Sequence, residues 1–318
     1  MAIIPLNQKF HTIENSVVTQ GRGSALVNSQ KEIFVTQDII DTVSAYVGLG
    51  GTQYVFVAAN GTDLQNAAEL QAAYVTAQGM SPSITNRITV IAAPGSYNFS
   101  TANFEMNTDY IDLVSLDGNK SIVFNGSNTI EITTNDVFVR GVDVGLLKFT
   151  IANSLNLLRV ENCSGGNKSF GRGDTASGTF TDCTGGDESF GGAFGTASGT
   201  FTDCTGGVYS FGGDGGTASG TFTNCTGGDN SFGDGGTASG TFTDCIGGYA
   251  AFGGNGGIAS GTFTNCIGAV YSFGGSGQGG ILSGFLYYCR LTSGTFETVS
   301  GGGRTVLCID GNNNQNNQ

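Results

Sequence analysis

Eight cysteines in the second half of the chain are the residues most able to bond to each other or to a metal. They recur every 19 to 23 residues, at Cys163, Cys183, Cys204, Cys225, Cys245, Cys266, Cys289 and Cys308. In stacked coils their Cβ atoms would lie at or beyond the roughly 3.5–4.5 Å that a disulfide spans. The chain has no CxxC pair of the kind that zinc sites use. The spacing therefore favours buried free thiols, which suit assembly in a reducing cytoplasm.

Carboxylates are the other candidates for chemistry, because the chain has one histidine, His11. Asp182 and Asp203 each precede a cysteine and would lie about 5 Å apart on adjacent coils, near the separation of a retaining glycosidase pair. The same position holds Asn224 and Asn265, which favours a structural role at a bend. We therefore predict no bond cleavage. The alternative, an enzyme, would use acids of the less regular coils, such as Asp109, Asp112 or Asp143.

Acids also occur in the glycine-rich stretches, at Asp174, Asp214 and Asp234. Ca²⁺ prefers carboxylate and carbonyl oxygens, so these residues are candidates for weak calcium binding. The nonapeptide pattern of calcium-binding β-rolls is not met. Beyond weak calcium binding, the sequence predicts no cofactor and no metal site.

The two residues before each Ser-Phe or Ala-Phe change from repeat to repeat, while the residues around them stay constant. A constant frame with a changing exposed pair suits a recognition surface, and tyrosine offers sugars an apolar face and a hydroxyl. Neutral drift on a solvated strand explains the same variation equally well. The candidate receptor-binding residues at these positions are Asp187, Glu188, Tyr209, Tyr249 and Tyr271.

Alternating threonines form a second repeated feature. They would make a flat double row on the outside of a solenoid, similar to the rows of ice-binding β-solenoids. Threonine also simply suits the outer face of a strand, and the sequence favours this simpler interpretation. The pairs are Thr179/Thr181, Thr200/Thr202, Thr221/Thr223, Thr241/Thr243 and Thr262/Thr264.

The repeat predicts the elements that position these residues. A unit of about 20–21 residues recurs from Cys163 onward, which indicates a solenoid. Gly supplies 55 of the 318 residues and excludes pairs of long helices, whereas Thr-Phe-Thr alternates as a strand with its Phe inside. We expect one buried column of Phe180, Phe201, Phe222, Phe242 and Phe263. A second column is expected from Phe170, Phe190, Phe211, Phe232, Phe252 and Phe273. Inward-facing cysteines form a third.

Four segments are predicted along the chain. Residues 1–50 are too short for a core of their own and are interpreted as an attachment and oligomerisation segment. Residues 51–160 contain a capping helix, read as Asp63–Ala77 with Asp63 as N-cap, and irregular early coils. Residues 161–310 form the glycine-rich solenoid, and 311–318 are predicted to be a disordered polar tail.

The charge of the chain argues against a nucleic-acid partner, and its hydropathy argues against membrane insertion. The net charge is −13, and no Lys or Arg occurs from Asp174 through Cys289. A phosphate-binding surface needs cations, so nucleic acid is not expected as a partner. No apolar run approaches 18 residues, so no membrane insertion is expected.

Two resemblances add to this reading. Phe56–Asp63, the helix after it and Ile88–Phe99 resemble the first coils of pectate-lyase-like right-handed β-helices, a family of polysaccharide lyases, glycosidases and phage tailspikes. Met1–Phe10 and Gln37–Val43 resemble the starts of virion proteins in aquatic tailed phages. Together they imply an all-β, right-handed parallel β-helix that is often trimeric.

The resemblances further imply a tail fibre or tailspike, located in the virion after assembly in the host cytoplasm. Its expected partners are its own copies in a homotrimer, other tail or baseplate proteins and a host surface polysaccharide. The alternatives are a polysaccharide-depolymerising tailspike and an ice-binding or cell-surface adhesin solenoid. The glycine-rich half departs from the typical enzymes of the family.

Overall fold

The computed structural model describes residues 26–27, 33–34, 53–152, 155–171, 175–274, 280–293, 303–310 and 312–316. Over these residues the chain is a right-handed parallel β-helix of about 10 turns with coils of about 21 residues, which confirms the predicted fold class. Most of the predicted attachment segment 1–50 lies outside the described residues. Its described part is an antiparallel pair of short strands, Leu26–Val27 and Ile33–Phe34.

An α-helix, α1, runs from Asp63 to Gly79 and packs on the strands of the first coils. Its N-cap is Thr62, one residue before the predicted cap. The Thr62 hydroxyl accepts a hydrogen bond from the backbone N–H of Gln65, whose side chain accepts one from Thr62 N–H. This reciprocal capping box stabilises a helix start at Thr62 rather than at Asp63. Asp63 instead accepts a 2.6 Å hydrogen bond from the side-chain amide of Asn125.

In the described part of the chain the main sheet contains twelve strands, and every neighbouring pair is parallel. In the repeats the Thr-Phe-Thr strands stack in register, Thr on Thr and Phe on Phe. The strands are Gln53–Val57, Ile88–Ala92, Ile111–Ser115, Phe138–Arg140, Arg159–Glu161, Thr179–Thr181, Thr200–Thr202, Thr221–Thr223, Thr241–Thr243, Thr262–Thr264, Phe285–Tyr287 and Arg304–Val306.

Shorter strands form the other faces of the coil. One face begins with Gly95–Tyr97, Ile122–Phe124 and Val142–Asp143, continues as single bridges through the repeats, and ends with Ile267–Gly268, Arg290–Leu291 and Cys308–Ile309. A three-stranded sheet in the early coils comprises Phe104–Met106, Ile130–Ile132 and Thr150–Ile151. A six-stranded sheet in the repeats comprises Thr175–Ala176, Thr196–Ala197, Thr217–Ala218, Thr237–Ala238, Ile258–Ala259 and Ile281–Leu282.

Two phenylalanine columns fill the interior of the repeats. Rings of the Thr-Phe-Thr strands stack 4.8–5.1 Å apart from Phe180 to Phe263. Rings of the Ser-Phe or Ala-Phe segments stack 4.8–4.9 Å apart from Phe170 to Phe273. The two columns meet edge to face, with centroids 5.5–6.0 Å apart, an arrangement that aromatic quadrupoles favour.

Backbone geometry explains the constant residues of the repeat. The Asp or Asn before each repeat cysteine has a left-handed backbone, with φ of 50° to 54° from Asn162 to Asn265, which suits the bend that the sequence predicts there. The position before each Thr-Phe-Thr requires glycine, because the backbone of the adjacent coil lies directly against it. A Cβ on Gly220 would lie 2.2 Å from the carbonyl oxygen of Gly199, so this position excludes any larger residue without a shift of the backbone.

Residues 312–316 of the C-terminal tail, which the sequence predicts to be disordered, are described in the structure. Gln315–Asn316 forms a short antiparallel strand against Cys308–Ile309. The Asp310 carboxylate holds the turn between them, because it accepts hydrogen bonds from the backbone N–H groups of Asn312 and Asn314. A polar composition therefore supports a local turn here, which composition alone does not predict.

Candidate functional site

The candidate site is the variable turn, defined here as the two residues before each Ser-Phe or Ala-Phe. Its second residue has a left-handed backbone in six successive coils, with φ of 53° to 67°. In five of these coils the N–H of that residue donates to the carbonyl of the next coil's first turn residue, at 2.7–3.0 Å. The same backbone bond therefore holds the turn in coils whose side chains differ. The turn residues are 167–168, 187–188, 208–209, 229–230, 249–250 and 270–271.

Two of the predicted tyrosines meet on this surface. Tyr249 and Tyr271 are 41% and 39% exposed, and their rings pack edge to face with centroids 5.4 Å apart. Tyr209 is half-buried on the same strip and is separated from Tyr249 by the coil of Asp229 and Asn230. The structure thus brings Tyr249 and Tyr271 together as an exposed aromatic pair and leaves Tyr209 apart.

The predicted acidic residues of the turn make bonds within the protein. Asp187 accepts a 2.9 Å hydrogen bond from the backbone N–H of Val208 in the next coil. Asn167 and Asp229 bond in the same way to the coils that follow them. Glu188 lies 3.8 Å from the Lys168 ammonium. Asp187 therefore supports the turn as well as facing solvent, a role that the recurrence of Asn or Asp at its position could have revealed.

The acids proposed for a depolymerase have structural partners. Asp112 is buried and accepts two hydrogen bonds from the Arg87 guanidinium, at 2.6 and 2.9 Å. Burial raises the pKa of Asp112, and the Arg87 charge opposes that rise. Asp109 accepts hydrogen bonds from the Thr134 hydroxyl and from two backbone N–H groups, and these bonds lower its pKa.

Asp143 and the bend acids are likewise held by neighbours. Asp143 accepts hydrogen bonds from the Ser164 hydroxyl at 2.6 Å and from Gly145 N–H at 2.8 Å. Asp203 accepts a hydrogen bond from the side-chain amide of Asn224 on the adjacent coil. The bend column is therefore a ladder of Asp and Asn side chains, which matches its structural interpretation.

The cysteines line the interior. All eight are free and buried. Each thiol lies 3.3–3.5 Å from the carbonyl oxygen two residues earlier, at donor distance. Burial raises the pKa of the Cys163 thiol and that of the Cys204 thiol well above the ordinary value of a cysteine. Because all eight thiols are enclosed by the protein, solvent reagents do not reach them, and this column acts as core.

The threonine rows lie on the outer face of the main sheet. The first Thr of each pair is exposed from Thr179 to Thr241, and the second is half-buried. The rows repeat at the coil spacing, which the stacked Phe rings place at 4.8–5.1 Å. Within a strand the two threonines are about 7 Å apart. The structure therefore forms a double row of threonines in register, as the sequence predicts.

The loop acids differ in environment. Asp174 lies outside the described residues. Asp214 is half-buried, and Asp234 is buried rather than on the outside of its loop. Among the described residues, no group of three or more His, Cys, Asp or Glu could hold a metal. No helix within the described part of the chain is long and apolar enough to cross a membrane.

No protein-family model, curated protein or solved structure matches this chain.

Proposed function

We propose that this chain is a non-enzymatic tail fibre or tailspike-type protein of a phage particle that presents a glycan-binding surface to the host. The observation that carries the proposal is the variable turn. Six coils share one left-handed turn geometry, while their side-chain pairs differ. A backbone-held frame tolerates exchange of its side chains, which a surface that must match different receptors requires.

The Tyr249–Tyr271 pair is the proposed centre of this surface. Two adjacent exposed rings offer the C–H face of a sugar an apolar contact, and their hydroxyls supply hydrogen bonds at its edge. Asp187, Glu188 and Tyr209 extend the same strip toward the N-terminus. A neutral host polysaccharide fits this surface better than an anionic one, because no Lys or Arg occurs between Asp174 and Cys289.

Binding to host polysaccharide tests the proposal. The full chain should retain capsule or lipopolysaccharide fragments from its host, and the double variant Tyr249→Ala/Tyr271→Ala should weaken binding by about tenfold or more. Phe194→Ala is the matched control, because this aromatic residue is 76% exposed but lies outside the variable turn. Equal loss in the control, or unchanged binding in the double variant, would contradict the site.

The same incubation tests the absence of cleavage. We expect no reducing ends and no unsaturated sugars, because the candidate acids are engaged in structural bonds. Released sugars that disappear on Asp109→Asn or Asp112→Asn substitution would instead support a depolymerising tailspike.

Self-association into a homotrimer and attachment to other tail or baseplate proteins belong to the same proposal. Exposed apolar side chains on the last coils support an association surface: Ile281, Phe285 and Tyr288 are 42%, 44% and 57% exposed. Light scattering should give about three times the 32.4 kDa chain mass. Removal of residues 1–50 should leave the solenoid folded but unable to join the particle. A monomeric full chain would contradict the trimer.

Ice or another regular surface is a second candidate ligand, favoured by the register of the threonine rows. Substitution of Thr221 and Thr241 by Lys would place bulky charges in the exposed row. If the rows bind ice, the unsubstituted chain shows thermal hysteresis and this variant loses it. If the full chain shows no hysteresis, the candidate is wrong.

A further inference from the structure

One carboxylate of the repeats is buried without a compensating charge. Asp234 is 3% exposed. Its Oδ2 atom accepts a hydrogen bond from the Asn230 side-chain amide, whereas its Oδ1 atom is buried and has no hydrogen-bond partner. Burying an ionised carboxylate in this state is expensive, so a proton or a cation must neutralise it.

Asp234 carries a side chain at a position where both neighbouring coils have glycine. Gly213 and Gly254 occupy the equivalent place in the neighbouring coils, because all three carbonyls accept a hydrogen bond from the coil before. A Cβ on Gly213 would lie 2.1 Å from the Asn230 carbonyl oxygen, and one on Gly254 would lie 2.2 Å from the Tyr271 carbonyl oxygen. The loop of Asp234 is one residue shorter than either and admits a side chain where theirs exclude one.

The loop beside that of Asp234 carries a second acid, Asp214. Gly215 N–H donates to the Asp234 carbonyl, so the loop of Asp214 lies directly against that of Asp234. Burial raises the pKa of Asp234, and the negative charge of Asp214 adds to the rise. The chain supplies no Lys or Arg between Asp174 and Cys289 that could offset this charge.

We propose that the Asp234 and Asp214 carboxylates bind a calcium ion at these two loops. Two carboxylates are fewer than a complete site, and carbonyl oxygens of the glycine loops would add the remaining protein ligands. Ca²⁺ accepts such mixtures of carboxylate and backbone oxygen in flexible geometry, whereas Zn²⁺ uses the sulfur and nitrogen ligands that these loops lack. The ion would tie adjacent loops together, independently of any glycan at the variable turn.

Calcium titration of the full chain, after treatment with a chelator, tests the site. Calorimetry should show saturable binding, and Ca²⁺ should raise the Tm. Asp234→Asn should abolish both effects, and Asp214→Asn should weaken binding by about tenfold or more. Asp244→Asn is the matched control and should bind as the unsubstituted chain does, because neighbouring coils carry Asn at that bend.

A proton on the Asp234 carboxylate is the other way to neutralise it, and the pH dependence of the binding and of the Tm distinguishes a proton from calcium. If calcium binds, affinity falls as the pH is lowered, because protons compete for the Asp234 carboxylate. If a proton alone neutralises Asp234, Ca²⁺ leaves the Tm unchanged, and acidification raises the stability of the unsubstituted chain relative to Asp234→Asn. That result, or an equal loss of binding in Asp244→Asn, would overturn the proposal.

Discussion

The early coils and the glycine-rich repeats form one continuous β-helix by different means. The early coils have a mixed core in which aliphatic residues such as Ile111 and Leu113 lie with aromatic ones such as Phe104. Their polar interactions are particular to one place, as where Arg87 pairs with both Asp112 and Asp136, at 2.6 and 2.8 Å. In the repeats, two interior columns are phenylalanine and a third is cysteine, and the ladders are mostly backbone or Asp–Asn contacts.

The difference shows two ways to specify a coil. An early coil is defined by partners that occur once, so each substitution there has its own consequence. A repeat coil is defined by its likeness to the coils above and below, since Phe stacks on Phe and Gly on Gly. Stability in the repeats should therefore depend on unbroken columns, and stability in the early coils on individual polar pairs.

The largest expected effect is a break in a phenylalanine column. Phe222 is fully buried and contacts Phe201, Phe211, Phe232 and Phe242. Phe222→Ala should lower the free energy of unfolding by about 3–5 kcal/mol, since it removes buried area and leaves a cavity. Urea denaturation followed by circular dichroism measures this loss.

The control for the column is an exposed phenylalanine of the same region. Phe194→Ala should change the free energy of unfolding by no more than about 0.5 kcal/mol. A loss below about 1 kcal/mol in Phe222→Ala would mean that the repeats do not depend on their aromatic stack.

A smaller effect is expected where two backbones approach each other. Gly220→Ala should destabilise the chain by about 1–3 kcal/mol, because its Cβ would meet the Gly199 carbonyl oxygen at 2.2 Å. Gly79→Ala is the matched change in the N-terminal region, at the last residue of α1, where an added Cβ meets nothing within 4 Å. It should be neutral or stabilise by up to about 1 kcal/mol. Equal thermal shifts for the two variants would contradict close coil stacking.

The smallest expected effect is on how the stability of the early coils depends on pH. The hydrogen bond from the Thr134 hydroxyl and those from backbone N–H groups hold the pKa of Asp109 below its ordinary value. Its folded pKa is thus lower than its unfolded pKa, so its stabilising contribution is present above about pH 4 and disappears as the pH falls through the folded pKa.

Asp109→Asn should therefore reduce the difference in unfolding free energy between neutral and acidic solution. Thr134→Val should do the same, because it removes the first donor to the carboxylate. Denaturation curves at the two pH values measure this difference. If neither variant changes it, the acid sensitivity of the early coils arises elsewhere.

The sequence was most informative where it repeats. The repeat of about 20–21 residues and the alternation of Thr-Phe-Thr predict the inward columns, and the occurrence of both Asp and Asn at one position predicts a bend rather than an acid pair. Helix α1 was also predictable, although its cap was misplaced by one residue because Thr62 and Asp63 are both good caps.

Other features depend on contacts between coils and could not be predicted from one repeat. The second phenylalanine column has a left-handed backbone, with φ of 52° to 57° from Phe170 to Phe273, which a bulky residue rarely adopts. The surrounding stack imposes this conformation. The burial of Asp234 follows from a loop one residue shorter than its neighbours, and the sequence alone gives no sign of which way that side chain turns.

The near-identity of the stacked coils has a consequence for how the chain finds its native alignment. Phe201 and Phe222 present the same shape to an incoming strand, so a segment displaced by one whole repeat meets almost the same partners. Within the repeats, little distinguishes the correct pairing from the shifted one. The irregular coils and helix α1 resolve the choice, because Arg87, Asp112 and Asp136 fit in one arrangement alone. If folding proceeds from this end, each coil pairs with the coil already formed before it, and the register of every repeat is fixed in turn.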